Sequence, residues 1–322
     1  MQALSQLSYT PTANPRLYGS PGSGAIRRTG LSRTLRYHPR AFATRRAPIR
    51  PSSCPVTAPL PAPDATPDRL PDLAGRVILV TGATGGLGSA LARACAARGA
   101  TVVVHGRAVP RLEQLYDDIV AVGGPEPVIL PLDLAKAGAD DFANVAAALE
   151  SQFKRLDGLV HTAAMLGTLG PIEHQSFDAW LALLRVNLAA PMGLTRALSA
   201  LLARAPDAAV LFTLDDRGLA PRAYWGGYGV TKAGVAALAR ELADEWESRP
   251  TLRVDAVVPG PIRSPMRGRT HPGEDRSQLP PPEALVPLYL HLLAGRAKAD
   301  SGAIVDARAW LAGSPASSPL VA

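Results

Sequence analysis

Asp, Glu and Lys are all missing from the first 63 residues, which nevertheless hold nine Arg. Like charges with no partners and little apolar material give such a stretch no reason to join a core. The other 259 residues carry 25 basic and all 27 acidic residues. The net charge of +7 therefore belongs to the leader, and it does not argue for a nucleic-acid partner of the folded part. Cysteine is scarce as well. Cys54 and Cys95 are too few for a disulfide framework or a cysteine zinc site. No metal is expected, and a reducing, cytoplasmic setting is the default. Cys95 lies in an Ala-rich helical stretch and reads as a small core residue. No uninterrupted apolar run approaches 18 residues, so no membrane span is expected. Aromatics make up 5% of the chain, so the core must rest on Ala, Leu and Val.

Residues 1–70 are rich in Pro, Ser, Thr and Arg and show neither a 2- nor a 3.6-residue period. They read as a disordered leader, stiffened at Pro59–Pro63. Three origins stay open: an organellar transit peptide, an upstream stretch translated from an early start, or a genuine tail. A secretory signal would need an apolar centre that this leader lacks, and a nucleic-acid arm would show interleaved aromatics. One domain is expected over 71–314, followed by a flexible tail over 315–322.

Within that domain, short apolar strands alternate with helices seven times. Strands are expected at 76–81, 101–105, 127–131, 156–161, 208–213, 252–258 and 302–306. Helices are expected at 87–98, 109–122, 142–153, 177–204, 228–247 and 283–293, the fourth bent near Pro191. Strands that are apolar throughout belong to a parallel sheet buried on both faces. Right-handed crossovers then give an α/β, doubly wound seven-stranded sheet whose ligand sits at the carboxyl ends of the strands.

Thr81-Gly-Ala-Thr-Gly-Gly-Leu-Gly88 joins the first strand to the first helix. Gly82, Gly86 and Gly88 permit a sharp turn and close approach of a phosphate, while Thr84 and Leu87 complete the loop. The second strand ends in His105-Gly-Arg107, with no acidic residue to grip the ribose hydroxyls of NAD. Arg107 suits a 2′-phosphate, which favours NADP(H) over NAD(H). Asp133, at the end of the third strand, is placed to accept from adenine or to cap the next turn.

Tyr228 and Lys232 are four apart and so share a helix face. An adjacent ammonium would lower the pKa of the phenol and fit Tyr228 for proton transfer to a carbonyl during hydride transfer. The glycine loop and Tyr228-Gly-Val-Thr-Lys232 resemble the two defining motifs of the short-chain dehydrogenase/reductase family, over roughly residues 73–311. Ala223–Tyr228, Pro287–Leu290 and Ile304–Ala307 look like its YciK-type subgroup. The resemblance implies a single-domain Rossmann fold and NADP-dependent hydride transfer between nicotinamide and a carbonyl or alcohol. It also implies a homodimer or homotetramer. By the same resemblance, Asn187 anchors a proton-relay water. Ala163, Pro259, Gly260, Ile262 and Ser264 line the cofactor.

Two positions depart from that pattern. Thr162-Ala-Ala164 replaces an Asn-Ala-Gly turn, and Asp215 stands thirteen residues before Tyr228 where the catalytic serine belongs. An ionised carboxylate accepts but does not donate, and it opposes a developing oxyanion. Three outcomes are open: a protonated Asp215 that donates; an Asp215 paired with Lys232 or Arg217 in a non-catalytic NADP(H)-binding protein; or a substrate whose own cation or hydroxyl suits a carboxylate. Thr213 is a substitute donor by strand parity. Residues 263–282 are expected to be a lid with little reason to pack alone, with Arg263, Arg267 and Arg269 attracting anionic substrate or cofactor phosphates.

Overall fold

A computed structural model describes residues 70–295 and 301–312. The leader up to 69, with Cys54, and the tail lie outside the described residues. The seven strands are β1 (Val77–Thr81), β2 (Thr101–Gly106), β3 (Val128–Pro131), β4 (Gly158–His161), β5 (Ala208–Thr213), β6 (Leu252–Val258) and β7 (Ile304–Asp306). They form one sheet in the order β3-β2-β1-β4-β5-β6-β7, with every pairing parallel. The order reverses between β1 and β4, which opens a crevice at their carboxyl ends.

Helices α1 (Gly86–Ala97), α2 (Val109–Ala121), α9 (Val286–Leu293) and α10 (Ala307–Leu311) contribute to the core on one face, around Leu91, Leu112, Tyr289 and Trp310. On the other face α3 (Ala139–Phe153), α5 (Ala190–Ala203) and α7 (Gly226–Glu245) pack Leu149, Leu198 and Val235 against Phe212 and Val254. β1, β4 and β6 are buried along their whole length, as their unbroken apolar runs require. Cys95 is fully buried within the first of these cores.

The long helix expected at 177–204 is α4 (Phe177–Leu184), a π turn at Arg185–Ala189, and α5. Pro191 has no N–H to return to the carbonyl of Asn187, and the chain widens into i→i+5 bonding just before it, with Ala190 N–H donating to Arg185 O. By length and composition Phe177–Ala203 would also suffice to cross a membrane, at a mean hydropathy of 1.3. Asp178, Arg185 and Arg196 interrupt it, so no single apolar run marks it in the sequence. Here Leu183, Leu194, Leu198 and Leu202 are buried in the protein.

An ionic hub ties the amino end of the sheet to the end of α9. Asp207 accepts from Arg76 at 2.6 Å and from Arg253 at 2.7 Å. Arg253 also donates to the carbonyls of Leu292 and Ala294, and Arg76 to that of Leu293. Burial pushes the Asp207 carboxyl up, but the two guanidinium groups outweigh it and hold it below the usual range. Arg253 is 1% exposed, so loss of its carboxylate strands a buried cation. Asp207→Ala is expected to cost about 3 kcal/mol in urea unfolding; a loss below about 1 kcal/mol would show that the carbonyls alone hold Arg253.

Candidate active site

β1 runs into Gly82, whose φ is +67°, and a Cβ there would lie 2.7 Å from Ala163 Cα. The turns after β1 and β4 thus touch. A Cβ on Gly88 would lie 2.3 Å from Gly82 O, so the loop closes on the first turn of α1. Gly85 caps α1 without a side chain, and no acidic residue sits in the first turn. The first N–H groups of α1 are left for an anion. Thr162 donates its hydroxyl to the carbonyl of Thr81, and the Thr81 hydroxyl takes the N–H groups of Thr162 and Ala163. The β1–β4 fastening therefore survives the replacement in the Thr162–Ala164 turn.

These turns border a cavity of about 660 Å³ at the carboxyl edge of the sheet. Thr84, Gly86 and Leu87 lie on the α1 side of it, Arg107 and Asp133 beyond β2 and β3. Pro259, Gly260, Ile262 and Ser264 close it after β6, and Asp215, Tyr228 and Lys232 after β5. Asn187 is the exception. Its side chain sits behind the wall, accepting from Met165 N–H at 2.7 Å and donating to Met165 O and Thr231 Oγ1. Its amide is fully used in bracing the 165 loop against α7. Ser264 lines the cavity while its Oγ caps α8 (Pro265–Thr270).

Beyond the end of β5 the hydrogen bonds run toward Asp215. The Tyr228 hydroxyl donates to Asp215 Oδ2 at 3.1 Å, and Arg217 N–H donates to Oδ1 at 2.9 Å. Asp215 thereby caps α6 (Asp216–Leu219), a short helix that the sequence reading missed. Lys232 Nζ donates to Thr213 O at 2.7 Å and lies 5.8 Å from the centre of the Tyr228 ring.

A family profile described as short chain dehydrogenase matches residues 76–275. The chain belongs to the short-chain dehydrogenase family. It is 35% identical over 233 residues to YciK of Escherichia coli K12, an uncharacterized oxidoreductase, covering 72% of this chain and 92% of YciK. A solved short chain dehydrogenase from Pseudomonas syringae matches with a TM-score of 0.71 and 41% identity, over 73% of this chain and 95% of that one. Another, from Escherichia coli CFT073 and complexed with NADPH, matches with a TM-score of 0.71 and 34% identity, over 74% and 100% of the two chains.

Several expectations for a short-chain dehydrogenase need correction in this chain. Burial, then the charge and hydrogen bond of Asp215, hold the Tyr228 phenol well above its ordinary value. The lowering expected from Lys232 is outweighed by burial first, and then by the carboxylate, which touches the hydroxyl. Burial pulls Lys232 down to about 8, against the opposing charge of Asp215. Asp215 takes a backbone N–H of residue 217 rather than its guanidinium, which lies over Trp225 at 4.9 Å. The Thr213 hydroxyl shares a 2.9 Å hydrogen bond with Tyr289 OH, in which either group can donate.

The 263–282 segment is also packed, through α8 and a 3₁₀ turn at Arg276–Gln278. Arg263 donates to three backbone carbonyls of that segment and does not line the cavity. Arg267 pairs with Glu274 through two hydrogen bonds and still borders the cavity, as does Arg269. Arg111 and Trp225, also on the cavity wall, were missed. Arg111 lies in the first turn of α2, four residues after Arg107, which precedes that helix.

Two buried imidazoles underlie the glycine loop. His105 Nδ1 accepts from Gly82 N–H, and His161 stacks on Phe212 and bonds Thr195. Burial lowers His105 to about 4 and His161 to about 3, from an ordinary 6.5. Between 6.5 and those values the unfolded chain binds protons that the folded one refuses, so stability falls as pH drops through that window. Melting temperature should decline from about pH 6.5 to pH 4, and His161→Gln should flatten part of the slope. An unchanged slope in that variant would remove His161 from the account.

Proposed function

We propose that this protein is an NADP(H)-dependent oxidoreductase whose reaction is hydride transfer at a polar double bond, with the carbonyl/alcohol pair as the family's usual case. The observation that carries the reading is the meeting of the glycine loop, Tyr228, Lys232 and Asp215 in one cavity. The cofactor fits that cavity. The uncapped N-terminus of α1 offers N–H groups to a pyrophosphate, while exposed Arg107 and Arg111 suit a 2′-phosphate. The related structure complexed with NADPH supports the same choice. When bound, the nicotinamide supplies or takes the hydride. Lys232, held by Thr213 O, would orient ribose hydroxyls and keep a positive charge under the reaction.

Asp215 stands where a neutral donor belongs, and the proton of Tyr228 points at it rather than at a substrate. That arrangement slows ordinary carbonyl reduction, and it also favours a second reading, a non-catalytic NADP(H)-binding protein. A homodimer or homotetramer and a cytoplasmic setting belong to the proposal. Exposed Phe177, Leu181, Met192 and Val230, on helices equivalent to those that the family pairs, support the assembly.

Arg107→Ala is expected to weaken NADPH binding by about 1.5–3 kcal/mol while NADH binding barely changes. Calorimetric titration measures both; equal losses would point to structural damage instead. Asp215→Ser is expected to raise NADPH-dependent reduction of an activated diketone by about 10-fold or more, since a missing oxyanion donor costs about 2.7–4 kcal/mol. Tyr228→Phe in that background should abolish the gain. A lower rate in Asp215→Ser than in the wild type would make the carboxylate itself functional.

A further inference from the structure

Four features of the cavity bear on what kind of electrophile it takes. The first is that Asp215 receives hydrogen bonds on both oxygens, from Tyr228 OH and Arg217 N–H, and so behaves as an acceptor. The second is that the neighbouring carboxylate is already taken: Asp216 is paired with Arg308 at 3.1 Å, and Arg308 is held by Asp306 at 2.7 Å. Among the described residues Asp215, which borders the same end of the cavity, forms no ion pair with a cationic side chain, although Lys232 and Arg267 lie within reach of its charge. The third is that the hydrogen bonds nearest it run to other partners or onto Asp215 itself. Thr213 Oγ1 is bonded to Tyr289, Lys232 Nζ to Thr213 O, and the Tyr228 hydroxyl to Asp215 itself. A carbonyl oxygen entering beside Asp215 meets its lone pairs rather than the Tyr228 proton, and hydride addition would worsen the repulsion by making an alkoxide. The fourth is that Tyr228 resists giving up its proton.

A carbon–nitrogen double bond reverses each of these relations. A protonated imine presents an N–H donor and a positive charge, both of which a carboxylate stabilises. It raises the protonated fraction of the imine, which is the reactive form. When hydride reaches the carbon, the C=N π bond breaks, a C–H bond forms, and the π electron pair becomes the nitrogen lone pair. No oxyanion develops and no proton donor is needed in that step. The product is a neutral amine, which takes its proton from water.

We infer that Asp215 selects a protonated imine, and in the reverse direction a secondary amine, as the substrate class of this cavity. The inference rests on the NADP(H)-dependent reading above and deepens it. Asp215 then determines specificity through direct contact with the substrate nitrogen, and Tyr228 helps fix its orientation.

The test uses the full chain loaded with NADPH, after calorimetry has shown that NADPH binds. Failure of that binding takes down the oxidoreductase reading, and this inference with it. Two substrate pairs then isolate the nitrogen. For binding, the cation of 1,2,3,4-tetrahydroisoquinoline is compared with isochroman, its ether analogue. The wild type is expected to prefer the cation by at least about 10-fold, the effect of one charge-assisted hydrogen bond, and Asp215→Asn to erase the preference. For turnover, 3,4-dihydroisoquinoline is compared with 1-tetralone. The wild type is expected to favour the imine, and Asp215→Ser to shift the ratio toward the ketone by at least about 10-fold. Melting curves confirm that both variants are folded. With NADPH bound, the inference is overturned by equal binding of cation and ether, by ketone turnover at or above imine turnover, by an unchanged ratio in Asp215→Ser, or by turnover of neither compound.

Discussion

A single hydrogen bond, from the Tyr228 hydroxyl to the Asp215 carboxylate, organises the polar end of the cavity. A tyrosine and a lysine one helical turn apart serve proton transfer when the ammonium dominates the phenol's surroundings. Here the carboxylate stands at 3.1 Å from the hydroxyl, while Lys232 turns to Thr213 O. Burial raises the phenol first and the carboxylate adds to it, while burial draws the ammonium down against the charge of Asp215. The phenol keeps its proton, and the ammonium is drawn down to about 8. The carboxylate at 215 therefore makes this end of the cavity an acceptor while leaving the backbone around it intact.

The backbone stays intact because the rest of the site is held from elsewhere. The crossover between β1 and β4 places the glycine loop and the 162–164 turn side by side. Asn187 braces the 165 loop against α7. Asp215 itself caps α6, a structural duty that a serine can also perform and that costs the fold nothing. Arg308 links the 216 position to the last helix, so the catalytic loop is anchored to the far edge of the sheet.

Much of this was legible in the residues. Strands such as Val77–Thr81 and Val102–Val104 are apolar without alternation because both faces are covered, and that pattern is local. The glycines at 82 and 88 and the Tyr228–Lys232 spacing carry their geometry in the sequence. Counting back from Tyr228 singled out Asp215, and the suspected repulsion between them is a hydrogen bond in which Tyr228 is the donor. What escaped was whatever depends on partners distant in the chain. The packing of 263–282 rests on Arg263 meeting the carbonyls of 276–279 and on the Arg267–Glu274 pair, which no periodicity announces. The engagement of Thr213 depends on Tyr289, 76 positions away. The π turn before Pro191 lies within a pattern that reads as continuous helix.

The central claim is that Asp215 keeps Tyr228 protonated, and the ionisation of that one phenol tests it most directly. Tyrosine labelled with carbon-13 at Cζ reports phenol and phenolate by distinct chemical shifts, and Tyr228→Phe assigns the signal. The account predicts that the Tyr228 signal of the wild type stays at the phenol position through its ordinary midpoint of 10.0, and that Asp215→Ser brings its titration to lower pH. A phenolate signal from Tyr228 near neutral pH in the wild type would contradict it.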